Sequence, residues 1–353
     1  MKARVATGKL GIGVIGCGAI AYWVHLRVAR RLPGATLVAA ADPDPEARKR
    51  AEKLAGIEVH ARTDDLLARD DIDAVIISGP THLHADLAIS ACDAGKHIYL
   101  EKPLASSLED GARVADAVKR SGVTLALGFN RRFHPLNQQA KRLIAAGRIG
   151  RIHAVFSTFC ERATPDSMPG WKRRRETGGG VLLDLATHHI DLMRWFLDDE
   201  VASVSASIGS ELSEQDSARM TMSMRNGVQV QGWFSSLTST GDSLEFFGSD
   251  GTLRVDRHRT SVSLRVPRRF GYGVRSARTP PDAALAAWRV ARIARPSNEP
   301  SYLRSLTAFV RALSGSGPPM PTVDDGMRAL EVIEAAELAS HRGETVRVRP
   351  VID

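Results

Sequence analysis

The sequence predicts two α/β units in tandem: a doubly wound parallel sheet covered by helices, then an α+β domain on an open, mostly antiparallel sheet. Two patterns and the length point there. Residues 10 to 127 alternate short apolar runs with amphipathic helical stretches, as strands and crossover helices of a parallel sheet do. Near residue 150 the pattern becomes short alternating segments separated by turn signals. A length of 353 residues suits about two domains. The boundaries read as 1–128 for the first domain and 129–353 for the second, with C-terminal helices available to pack back on the first.

Strands of the first unit are expected at Leu10–Ile15, Thr36–Ala40, Ala74–Ser78, His97–Leu100 and Thr124–Leu127. Helices are expected over Ala19–Arg31, which Pro33-Gly34 stops, and over Glu46–Leu54, Leu83–Ala94 and Leu108–Ser121. In the second unit, strands are expected at Arg151–Cys160, Ala202–Ile208, Ala218–Met224, Val228–Leu237, Ser243–Phe247, Thr252–Asp256 and Ser261–Val266. Asn226-Gly227 and Ser249-Asp250-Gly251 mark turns between them. Helical stretches are Val181–Phe196, Asp282–Ile293, Ser301–Leu313 and Asp324–His341.

Composition is that of an ordinary globular chain, 43% hydrophobic and 25% charged, which excludes a wholly disordered protein. The excess of 48 basic over 40 acidic residues gives +8, much of it arginine that is scattered as well as clustered, as at Arg173–Arg175 and Arg268-Arg269. That distribution reads as a solvated surface, with a mouth able to attract anionic ligands, rather than a nucleic-acid face. Cys17, Cys92 and Cys160 are too few and too separated for a disulfide framework or zinc cluster, so a reducing cytoplasm is expected. The uncharged run Leu10–Val24 behind Lys2, Arg4 and Lys9 is glycine-dense and shorter than a membrane span. It reads as a strand and turn, and no membrane partner is expected.

Gly16-Cys17-Gly18-Ala19-Ile20-Ala21 fits G-x-G-x-x-(G/A) between a predicted strand and a predicted helix. Gly16 permits the tight turn, Gly18 removes a side chain where a pyrophosphate approaches, and Ala21 lets helix and strand pack. Free N–H groups at Ala19 and Ile20 then face the phosphates. Asp42, ending Val38–Asp42, has two readings: acceptor for an adenosine ribose diol, which would favour NAD over NADP, or cap of the next helix. No arginine follows it directly to hold a 2′-phosphate. Ser78, Pro80, Thr81 and His84 follow the next strand, and Glu101-Lys102-Pro103 ends the one after. Both lie where such sheets bind ligands, at the carboxyl ends of their strands.

These motifs, with Ala94–His97, Gly128–Phe133 and Gly178-Gly179-Gly180, resemble the Gfo/Idh/MocA family of glucose-fructose oxidoreductase, inositol dehydrogenase and relatives, over most of the chain. The resemblance implies a Rossmann domain, a nicotinamide cofactor and sugar or cyclitol substrates. It also implies that Lys102 reaches the nicotinamide edge and the reacting hydroxyl, with Glu101 and His84 among the cofactor contacts. Gly178–Asp191 follows the family pattern G-G-G-x-x-x-D-x-G-x-H-x-x-D, with Ala186 in the usual glycine position. On a straight helix Asp184, His188 and Asp191 stand at i, i+4 and i+7 and share one face, while His189 points elsewhere. This stripe reads as catalytic, with a structural polar network as the competing explanation, and no metal is expected.

Trp171 and Lys172 are candidate pocket residues, as are Asn130 and Arg131 after the last parallel strand, with Arg132 beside them. Arg173, Arg174 and Arg175 read as a solvated loop; facing the cleft, they would suit a phosphorylated or nucleotide-linked sugar. The expected activity is NAD-dependent exchange of hydride between a secondary alcohol and a ketone. In it His188 is the general base, Lys102 stabilises the alkoxide and Asp184 orients the hydroxyl or the lysine. Alternatives are a glycosidase or hydride-swapping enzyme with tightly held NAD, and a dinucleotide-sensing regulator. A homodimer or homotetramer is expected through a sheet face carrying Val204, Met222, Trp233 and Phe247.

Overall fold

The computed structural model describes residues 9–164, 168–267, 274–279, 299–317 and 320–349, so the helix expected over Asp282–Ile293 lies outside it. The described residues divide into two compact units. The first runs to Asn130 and also takes in 299–327; the second holds the described residues from Arg131 to 279 and from Arg328 onward.

The first unit is built on β1 (Leu10–Ile15), β2 (Ala35–Ala41), β3 (Glu58–His60), β4 (Ala74–Ile77), β5 (His97–Leu100) and β6 (Leu125–Leu127). Their spatial order is β3-β2-β1-β4-β5-β6, and every pair is parallel. β4 is buried at all four positions, as a strand covered on both faces must be. The short β3 and the helix Thr63–Leu67 were not legible as separate elements, being too brief for either period to register. The order reverses at β1, so the chain leaving β1 and the chain leaving β4 flank one crevice.

The core of this unit joins Ile12, Val14, Leu26 and Tyr99 to Leu306 and Phe309 of the helix Pro300–Leu313. The Tyr99 hydroxyl lies 3.0 Å from Ser305 Oγ, so the buried ring has a partner for its one polar atom.

The second unit centres on β7 (Ile152–Cys160), β8 (Val201–Gly209), β9 (Ser217–Met224), β10 (Gln229–Ser235), β11 (Gly241–Gly248), β12 (Gly251–Asp256), β13 (Ser261–Pro267), β14 (Val274–Thr279) and β15 (Val346–Arg347). They line up as β14-β13-β12-β11-β7-β10-β9-β8-β15. Only β7–β10 is parallel; the other pairs are antiparallel. Alternation decides the faces. Val204, Met222, Val230, Phe234, Leu244 and Phe246 are buried, whereas Phe156 and Trp233 are exposed. This corrects the face expected from sequence: Val204 and Met222 point into the unit, and only Trp233 and Phe247 of that set share the outer side with Phe156.

Candidate active site

At the end of β1 the chain turns sharply through Gly16, whose φ of +88° an L side chain resists. A Cβ there would also lie 2.8 Å from the Gly79 nitrogen, so the β1 and β4 turns approach too closely for any side chain. Gly18 differs: it is exposed, and a Cβ on it would meet no protein atom within 4 Å. Nothing in the fold requires glycine at that position, which leaves a cradle that a side chain would fill. Ala19 and Ile20 follow into the helix, whose first described turn, Ala21–His25, is π-helical.

Asp42 lies beside this turn. Its Oδ2 accepts from the Cys17 N–H at 2.6 Å and its Oδ1 from the Asp44 N–H at 2.8 Å. The next helix, Pro45–Ala55, is capped by Asp44, which accepts from the Glu46 N–H. The cap therefore belongs to Asp44, and the Asp42 carboxylate is fastened to the glycine turn. The carboxylate and burial together push the Cys17 thiol up to about 12, burial being the larger cause. Folding also brings in a cation that the local sequence did not announce. Arg48 Nη1 donates to the Asp42 and Pro43 carbonyls at 3.0 and 2.8 Å.

The polar residues after β4 and β5 bind the framework more than the sequence suggested. Ser78 Oγ donates to the Gly16 carbonyl at 3.0 Å. Thr81 is buried at the start of a short turn after Pro80. The His84 ring nitrogens lie 2.7 and 3.0 Å from the carbonyl oxygens of Pro103 and Gly79, and burial holds its pKa below the ordinary histidine value. Glu101 meets His25, with Oε1 and Nε2 2.7 Å apart, and also accepts from the Lys102 N–H at 3.3 Å. His84 and Glu101, expected against the cofactor, thus have their bonding atoms engaged by protein. His25, a lone histidine on an apolar helix, gave no sequence signal. Lys102 is half-buried where the chain leaves β5.

In the second unit, Gly178–Gly180 lead into a π-helical turn, Leu182–Ala186, and then the helix Thr187–Leu197. The wide turn inserts a residue, so the single face expected from a straight helix is broken. Asp184 is one-third exposed on a cavity of about 190 Å³. There its Oδ2 accepts from Lys172 Nζ at 2.7 Å. Asp191 is buried instead against Arg132, which donates from Nε at 2.9 Å and from Nη2. His188 is buried with its ring 6.3 Å from that of Phe159. Asp184 and Asp191 therefore each face a cation.

Glu161, Arg162, Lys172, Asp184, Asp216 and Ser236 give the cavity its polar wall. Gly179 is dictated by packing, since a Cβ would fall 2.2 Å from the Lys172 carbonyl oxygen. Sequence reading missed Asp216. Its Oδ2 accepts from the N–H groups of Glu211, Leu212 and Ser213 at 2.9, 2.6 and 2.9 Å, which shapes the loop beside the cavity. An acid in a polar loop carries no pattern that would have found it.

Asn130 and Arg131, expected at substrate, are bound within their own units. Asn130 Nδ2 donates to Ser301 Oγ at 2.8 Å, and Arg131 Nη1 donates to Asp242 at 2.6 Å. The arginine run is mostly paired as well: Arg175 with Glu337, and the exposed Arg174 with Glu176 at 3.1 Å. Trp171 is half-buried with Lys172 Nζ 5.6 Å from its ring.

Residues 10–129 match the family described as "Oxidoreductase family, NAD-binding Rossmann fold", and residues 137–254 match the "GFO/IDH/MocA C-terminal domain". Inositol 2-dehydrogenase 2 of Saccharopolyspora erythraea is 30% identical over 347 residues, 96% of this chain and 95% of that one. Among solved structures, levoglucosan dehydrogenase in complex with NADH and levoglucosan superposes with a TM-score of 0.83 at 25% identity, covering 96% of this chain and 99% of that one. The WlbA dehydrogenase of Bordetella pertussis, in complex with NADH and UDP-GlcNAcA, gives 0.82 at 25% identity, covering 98% and 99%. The parallel strand order agrees with the Rossmann-fold match, and the two family models with the Saccharopolyspora erythraea relative show that the chain belongs to the GFO/IDH/MocA family of oxidoreductases.

Proposed function

We propose that this protein is an NAD-dependent dehydrogenase or reductase that interconverts a secondary alcohol and a ketone on a sugar, cyclitol or sugar conjugate. The carrying observation is the small cavity walled by the Glu161, Asp184 and Asp216 carboxylates and the Lys172 ammonium. Such a density of acceptors suits a polyhydroxylated ligand. Substrates named for the relatives, inositol and levoglucosan, agree with it.

The open position at Gly18 and the anchored Asp42 fit a dinucleotide: Gly16, Gly18, Ala19 and Ile20 would hold the pyrophosphate and Asp42 the adenosine ribose. Ser78, Pro80 and Thr81 would border it. Bound NAD supplies the hydride acceptor. His188 takes the hydroxyl proton as general base, and Lys102 stabilises the negative charge that develops on oxygen. Asp184 orients the hydroxyl, and Trp171 and Lys172 border the substrate. The balance is alcohol plus NAD⁺ giving ketone, NADH and a proton.

A second copy of the chain would cover the outer sheet face, where Phe156 and Phe247 meet edge to face at 5.4 Å and Trp233 is exposed. Light scattering at micromolar concentration tests this, and a monomer counts against it. The cytoplasm suits three buried free thiols, and no described helix is long and apolar enough to cross a membrane.

The test of function is a screen of free sugars, inositols, nucleotide-linked sugars and aminoglycoside-like sugars with NAD and with NADP. NADH absorbance and a product two hydrogens lighter support the proposal. Glycoside cleavage, or turnover without added cofactor, would move the reading to the hydride-recycling alternative. Cofactor binding with no turnover across the panel would favour a sensor.

A further inference from the structure

We propose that Lys172 is a positioning residue, whose ammonium fixes the Asp184 carboxylate and keeps it ionised on the cavity wall. This rests on the dehydrogenase reading for its role in turnover, but the ion pair can be tested without it. The two side chains meet at 2.7 Å, each about one-third exposed. They come from segments fastened to one another before any ligand arrives. Lys172 sits within the short turn Gly170–Arg173, its own N–H donating to the Pro169 carbonyl at 3.0 Å, while the Asp184 N–H donates to the Gly180 carbonyl at 3.0 Å. Between them the Gly179 N–H donates to the Arg174 carbonyl at 2.9 Å, and a Cβ on Gly179 would fall 2.2 Å from the Lys172 carbonyl oxygen. Both backbones are set, so the pair need not search for its geometry.

The charges around Asp184 explain why such a partner is needed. Glu161 and Arg162 follow the end of β7, Asp216 comes from the 210–216 loop, and His188 follows four residues along on the helix. Removing Lys172 would leave three carboxylates among the described lining residues of a cavity of about 190 Å³, with Arg162 as the remaining cation among them. Like charges facing one cavity favour protonation of one of them, and an adjacent cation opposes it. Lysine suits this position because its ammonium is a compact point charge that meets the carboxylate at Oδ2. From sequence, Asp184 is expected to orient the hydroxyl or Lys102; the structure adds Lys172, whose Nζ donates to Asp184 Oδ2 at 2.7 Å.

The test compares Lys172→Met and Lys172→Arg with wild type in full-length protein, by pH–rate profiles on the best substrate from the screen. Carboxyl carbon NMR of aspartate-labelled protein, with Asp184 assigned through Asp184→Asn, runs in parallel. Calorimetric Tm checks that each variant is folded. In Lys172→Met the Asp184 resonance should titrate about one pH unit higher. The acidic limb of kcat should move with it, kcat at neutral pH should fall about tenfold or more, and KM should stay within about threefold. Lys172→Arg should restore both the limb and most of kcat. A raised KM with kcat and the limb unmoved would make Lys172 a substrate contact alone, with no hold on Asp184, and overturn the proposal. So would identical Asp184 titrations in wild type and Lys172→Met, whatever the activity. A shifted titration in a protein that oxidises nothing on the panel would uphold the pair and sink the dehydrogenase reading alone.

Discussion

Replacing Asp242 with asparagine should destabilise the second unit severely. Asp242 is 6% exposed at the start of β11, and its Oδ2 accepts from Arg131 and Arg257 at 2.6 and 2.7 Å. Arg131 also stacks over Phe159 at 3.9 Å, and His189 Nε2 lies 3.3 Å from Asp242 Oδ1. Asparagine keeps the shape and removes the charge, so two largely buried guanidinium groups lose their counter-ion. Breaking a buried pair from one side costs about 3–5 kcal/mol. At about 2–4 °C per kcal/mol for a unit of this size, Tm should fall by roughly 6–20 °C. Calorimetry at neutral pH measures this, and NADH affinity is the control, since the glycine turn and Asp42 belong to the first unit.

The pH dependence has a definite sign. Burial opposes ionisation of Asp242, but Arg131, Arg257 and the His189 hydrogen bond outweigh it and hold the carboxyl well below the ordinary range. The wild-type advantage is therefore whole at neutral pH. It shrinks as pH falls below about 4, where the unfolded chain takes a proton that the native state refuses. A Tm difference under about 2 °C, or one that widens in acid, would refute the reasoning.

Gly18→Ala should leave Tm unchanged, because its Cβ meets nothing in the protein, and should weaken NADH binding about tenfold or more, read by fluorescence titration. Asp42→Ser should raise the NADP-to-NAD ratio of kcat/KM by about tenfold or more, because it removes a carboxylate while Arg48 remains nearby to meet a 2′-phosphate. An unmoved ratio would detach Asp42 from the ribose. His188→Ala should lower kcat by about 10²–10⁴-fold with little change in NADH affinity. His189→Ala, which the helical wheel recommends as a silent control, should instead lower Tm. Its Nδ1 lies 2.7 Å from Ser157 Oγ in the Asp242 network, and burial keeps the ring uncharged.

The sequence by itself determined the parallel sheet, the glycine turn and the helix behind Gly178–Gly180. Those features are periodic or local: alternating apolar runs, a strand-to-helix turn that admits only glycine at Gly16, and a helical stretch of sixteen residues at Val181–Phe196. It could not determine what each polar group would meet. Asp184 and Asp191 looked equivalent on a straight helix, yet a π-turn and two distant cations, Lys172 and Arg132, gave them different fates. Asp42 had two local readings; the cap belongs to Asp44, which directly precedes the helix, and the Asp42 carboxylate accepts from the Cys17 N–H of the β1 turn. Arg131 looked available to substrate until β11 brought Asp242 to it from 111 residues away. Backbone pattern follows from neighbours in sequence, but a buried charge must find its partner in space, and that partner is chosen by tertiary packing.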